Sequence, residues 1–139
     1  MATKRKNKNM PVSKARNAYE LLQEIRKLIL EEPKRYDQEY TLTVGDGPDM
    51  PACGTVGCVA GWTVALKLPD RVAQYSYGGG VCIRAATILG LDYEQRSLLF
   101  DGGALGRTRP QTLRHAKRGA EHIKRFMEKH AKQLKAKKV

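Results

Sequence analysis

No apolar run in this sequence approaches the ~20 consecutive residues that a membrane-spanning helix requires, so a spanning segment is not expected. A secretory signal is missing too. Met1 to Arg16 is basic, but no uninterrupted apolar stretch follows it. The same segment has too few hydroxyl residues, and no long amphipathic helix, for a transit peptide. These absences point to a cytoplasmic protein without a membrane partner. Cysteine is scarce: Cys53, Cys58 and Cys82 make an odd count with no export signal, which favours buried, reduced thiols over a disulfide framework. There are no internal repeats.

The patterns that carry catalysis are weak. Cys53 and Cys58 form C-x4-C, at the long end of the C-x2–4-C spacing of structural zinc sites, but such a site needs four ligands in all. His115, His122 and His130 fall about two helical turns apart, too far to chelate together as an i, i+4 pair would. A nucleophilic Cys58 would need a thiolate and a nearby base, and no acid–histidine pair stands beside it in sequence. Glu31-Glu32 and Asp46/Asp49 read as solvated charge. Gly78-Gly79-Gly80 does not have P-loop spacing and is not followed by Lys-Ser/Thr. Neither an enzyme, a metal site nor a cofactor is expected.

What is present is positive charge, unevenly placed. The net +12 divides into +6 over residues 1–16, −4 over 17–106 and +10 over 107–139. A mildly acidic middle flanked by strongly basic segments points to a polyanionic partner. Hydrophobic residues make up 41% of the 139, enough for one core that needs neither a disulfide nor a metal to fold.

The periodicity is helical. Residues 1–12 are polar and basic and read as a disordered arm, followed by a helical domain over 13–134 and a basic tail over 135–139. Ser13 is the expected N-cap of a helix over about 14–31, whose stripe is Ala18, Leu21, Leu22, Ile25, Leu28 and Ile29, ended by Pro33. Residues 34–54 read as a long irregular loop, with Tyr40 to Val44 as a short extended piece. A second helix is expected from Thr55, as N-cap, to about Leu68, with the small residues Gly57, Cys58, Ala60 and Gly61 in its first turns. Val81 to Leu89 reads as a helix stopped by Gly90. Asp92 and Gln95 form the capping box of the next, which carries Leu98, Leu99 and Phe100 and stops at Gly102-Gly103. The final helix is expected from Pro110 to about Lys135, with Leu113, Ala116, Ala120, Ile123, Met127 and Leu134 facing inward. The fold class is therefore mainly α: one compact domain of about five helices, a long irregular loop and disordered basic termini.

Arg84 to Phe100 has a helix–turn–helix outline. Its second helix opens with Asp92 and Glu94 and ends in Leu98-Leu99-Phe100, which suits a core hairpin better than a groove-reading element.

The segment Cys53-Gly54-Thr55-Val56-Gly57-Cys58-Val59-Ala60-Gly61-Trp62, with the later Leu89-Gly90-Leu91 and Leu99-Phe100, resembles a family of small, uncharacterised bacteriophage and bacterial proteins. These carry a CGT-x-x-C-x-AGW element and a later LGL…LF element. The resemblance spans roughly residues 17–101 and implies a shared fold core and a phage context, hence a host cytoplasm, but no activity.

Function is therefore expected in the basic extensions. DNA or RNA phosphates would be contacted by an N-terminal arm (Lys4, Arg5, Lys6, Lys8) and a C-terminal surface (Arg107, Arg109, Arg114, Lys117, Arg118, Lys124, Arg125). Two other readings of the same charge stand beside this one: a solvated, solubilising face, and docking onto a host protein with an acidic surface.

Overall fold

The computed structural model describes residues 11–38, 42–44, 55–71, 80–100 and 108–139. The arm residues Lys4, Arg5, Lys6 and Lys8, together with Arg107, Cys53 and the Gly78-Gly79 and Gly102-Gly103 pairs, lie outside these spans. The fold is mainly helical. Its elements run α1 (Ala18–Glu31), a 3-10 turn (Pro33–Arg35), β1 (Leu42–Val44), β2 (Thr55–Gly57), α2 (Val59–Lys67), a second 3-10 turn (Pro69–Arg71), α3 (Val81–Leu89), α4 (Tyr93–Phe100), α5 (Leu113–Lys129) and α6 (Ala131–Ala136). No helix among the described residues is long and apolar enough to cross a membrane.

All six apolar positions of the α1 stripe are buried. They pack against α5 and α6, where Ala116, Ala120, Ile123, Phe126, Met127 and Leu134 form the opposing side. Each large aliphatic buried there contributes roughly 1.5–3 kcal/mol. Helix α2 lies inside the molecule, buried continuously from Val59 to Leu66, and packs on α3. Trp62 is fully buried, and its indole N–H donates to the Arg35 carbonyl at 2.6 Å.

Helix α1 begins at Asn17, not Ser13: the Asn17 side chain accepts from the Glu20 N–H at 2.9 Å. Ser13 and Lys14 instead satisfy Glu24, through the Ser13 hydroxyl (2.6 Å) and the Lys14 N–H (2.7 Å), which draws this stretch along the outside of α1. The expected start of α2 at Thr55 is also corrected. Thr55–Gly57 is a strand paired antiparallel with Leu42–Val44, Val44 opposite Thr55. Cys58 is the N-cap, its Sγ accepting from the Gly61 N–H at 3.4 Å. Pairing with the distant Leu42–Val44 strand claims the first three residues, so Gly57 and Gly61 do not share a helical face.

The turn from α3 to α4 follows the sequence closely. Gly90 takes a left-handed φ of 71°, and the Leu91 N–H closes back on the Ala86 carbonyl at 2.9 Å. Asp92 Oδ1 accepts from the Gln95 N–H (2.8 Å) while Gln95 Oε1 accepts from the Asp92 N–H (3.0 Å), a reciprocal capping box.

The last helix does not start at Pro110. Gln111 has φ of +61°, which no helical turn accommodates, and Thr112 caps α5 by accepting from the His115 N–H at 3.2 Å. The helix also breaks at His130 and resumes as α6. Leu113, expected inside, is 49% exposed, and Phe126, outside the expected stripe, is buried. Residues 135–139 are not a loose tail. Ala18 N–H donates to the Lys137 carbonyl (2.8 Å) and Val139 N–H to the Arg16 carbonyl (3.2 Å), around an antiparallel bridge between Asn17 and Lys138.

Candidate nucleic-acid interface

Helix α5 divides sharply in two. His115, Ala116, Gly119, Ala120, Ile123, Phe126 and Met127 are buried, and at 3.6 residues per turn they occupy a little under half the circumference. The remaining arc is exposed and carries Arg114, Lys117, Arg118, Lys124, Arg125 and Lys129 against Glu121 and Glu128. This is the arrangement expected of a helix docked on the core by one stripe and presenting cations on the other.

Of the residues singled out in the sequence, Arg114, Lys117, Arg118 and Arg125 line one shallow groove of about 650 Å³ along this arc, together with Glu121 and His122. The His122 ring nitrogen Nε2 meets the Leu98 carbonyl at 2.8 Å and so carries the proton, tying this edge of α5 to α4. Arg125 is paired with Glu121 at 3.3 Å, with both side chains largely exposed. Such a pair contributes little and is easily exchanged for a phosphate. Lys124 sits on the opposite edge. It faces a second groove of about 530 Å³ between α5 and α1, beside Arg26 and Lys27. Arg109 is exposed just ahead of α5, its carbonyl accepting from the Thr112 hydroxyl at 2.6 Å.

Arg26, Lys27 and Lys129 were missed as site candidates. The sequence places the first two in the mildly acidic middle, and only the packing of α1 along α5 brings them to Lys124. Arg26 reaches across the contact, its Nε donating to the Ala120 carbonyl at 3.0 Å.

The histidines are separated by their partners. The His115 ring is buried: Nε2 accepts from the Gln38 N–H at 3.1 Å, which leaves Nδ1 to donate to the Thr108 hydroxyl at 2.8 Å. Its ring lies 4.9 Å from that of Tyr36, whose hydroxyl donates to Gln38 Oε1 at 2.8 Å. His130 Nδ1 is instead 3.3 Å from Gln95 Nε2, at the break between α5 and α6. Among the described residues no group of three or more His, Cys, Asp or Glu is placed to hold a metal ion. Burial pushes the Cys58 thiol up to about 11, so it is a protonated capping group near neutral pH. The half-buried Cys82 thiol is also raised by burial, with Arg96 opposing the shift.

Comparison with protein-family models, with curated proteins and with solved structures finds no match to this chain.

Proposed function

We propose that the protein is a nonenzymatic nucleic-acid-binding protein, of the phage type its sequence motifs resemble, that contacts DNA or RNA phosphates through the outer arc of α5. The observation that carries this reading is the clean separation on α5. Six basic side chains share an exposed arc with only two acids, on a helix whose other side is fixed in the core. A rigid platform of guanidinium and ammonium groups displaces condensed counterions from a phosphate backbone and gains affinity by their release. Contacts of this kind position a duplex without reading its sequence. The buried Cys58, protonated near neutral pH, lacks the thiolate character that a cysteine nucleophile requires.

The test is binding to a labelled duplex and to a structured RNA at ~50–300 mM salt, where about six phosphate contacts give a logarithmic slope near −5. The triple variant Arg114→Glu, Lys117→Glu, Lys124→Glu should abolish binding and leave the far-ultraviolet circular dichroism unchanged. Binding that survives this reversal rules out the α5 arc. A wild-type chain that does not bind near physiological salt turns the reading toward a host protein with an acidic surface.

A further inference from the structure

Residues 14–16 and 135–138 are separated by more than a hundred residues of sequence, yet the fold joins them. Arg16, Asn17 and Ala18 pair with Lys137, Lys138 and Val139 through the two backbone hydrogen bonds at 2.8 and 3.2 Å. Lys135 is held in the same region, its ammonium 4.7 Å above the Tyr19 ring. Lys14, Arg16, Lys135 and Lys138 are all exposed. Lys137 is half-buried, its methylenes running over Gly90, where an added Cβ would lie 2.9 Å from Lys137 Cγ.

The nearby carboxylates are largely engaged by backbone and hydroxyl donors. Glu20 accepts from the Arg16 N–H at 2.9 Å, and Glu24 takes the Ser13 hydroxyl and the Lys14 N–H. Among the described residues, the one side-chain ion pair here, Arg16 with Glu20 at 3.4 Å, involves an arginine 87% exposed and is readily replaced.

We infer that residues 14–16 and 135–138 form a second phosphate-contact surface, assembled by this backbone pairing and borne on elements other than α5. The inference rests on the nucleic-acid reading and adds to it. Lysines that would otherwise be independent tethered charges are pre-positioned beside Arg16, so less ordering entropy opposes each contact. The partner is the phosphate backbone of a duplex.

Two variants remove the same two charges in different ways. Lys137→Gln with Lys138→Gln keeps the pairing, whereas deletion of residues 137–139 removes the pairing as well. Against the same labelled duplex, the double substitution should make the salt slope less negative by about 1–2, at ~0.9 per phosphate contact. The deletion should cost about one further contact, as Arg16 loses its position, with a further three- to tenfold loss of affinity. Should the deletion disturb folding, Val139→Pro removes the donor to the Arg16 carbonyl with every charge intact, and it should make the slope less negative on its own. Wild-type slopes in all of these variants, with the α5 reversal still abolishing binding, overturn the second surface and leave the α5 reading standing. Equal losses in the double substitution and the deletion overturn assembly by pairing. A wild-type chain that binds no duplex removes both.

Discussion

Tyr36 occupies the space above Gly119 in α5: a Cβ built on that glycine would stand 2.6 Å from two atoms of the Tyr36 ring. The ring cannot retreat easily, because its hydroxyl donates to Gln38 and its face meets His115. Gly119→Ala gains up to ~1 kcal/mol of helix propensity. It forces an overlap that costs typically ~1–3 kcal/mol, more where the neighbour is pinned. A net destabilisation of about 1–2 kcal/mol is expected, read from urea unfolding midpoints. An alanine variant at least as stable as the wild type would show that the tyrosine moves freely.

His115 is the hub of a buried polar network linking the segment after α1 to the start of α5. His115→Leu leaves the Gln38 N–H and the Thr108 hydroxyl without this partner in a site only 3% exposed. Orphaning the buried Gln38 N–H costs about 1–3 kcal/mol, and the half-buried Thr108 hydroxyl, which loses its donor, adds less, so a loss of ~2–3 kcal/mol is expected by chemical denaturation. Amide exchange at Gln38 should quicken with it, and exchange unchanged from the wild type would argue against the bond.

Alkaline pH should destabilise the fold, because its buried groups ionise more readily in the unfolded chain. Cys58 ionises near 9.0 ordinarily and near 11 when buried, so the folded state holds this proton more tightly than the unfolded one. The corresponding stability is fully present below pH 9 and is lost as pH rises toward 11, by about 3 kcal/mol at ~1.4 kcal/mol per unit. Tyr36 adds to the decline from about pH 10, because burial, and then the neighbouring Cys58 and Asp37, raise its hydroxyl above its ordinary value of 10.0. Unfolding free energies measured from pH 7.5 to 11 should fall in that window, and Cys58→Ala should remove the earlier part of the fall. A profile flat to pH 11 would contradict the burial of both groups.

Features set by short-range rules were legible in the sequence. The α1 stripe was read residue for residue, as was the turn at Gly90 with its Asp92–Gln95 box, because periodicity, a left-handed glycine and a reciprocal cap all act within a few residues. The basic arc of α5 followed from the same 3.6-residue period. Where the sequence misled, the deciding partner lay far away. Thr55 resembles an N-cap until Leu42–Val44 pairs with it, and the residues after Leu134 resemble a solvated tail until Arg16 and Ala18 take their backbone groups. The neighbourhood of Arg26, Lys27 and Lys124 depends on how α1 lies along α5, which no local pattern specifies.

That distant pairing bears on how the chain is made. Helix α1 leaves the ribosome early, carrying six apolar side chains whose main cover is supplied by α5 and by Leu134. At translation rates of ~5–20 residues per second, roughly 5–20 s pass between completion of α1 and completion of α5. During that interval the stripe lacks its principal native neighbours, and nascent chains stalled before Leu113 should bind hydrophobic-surface holdases at α1 and release them once Leu134 has emerged.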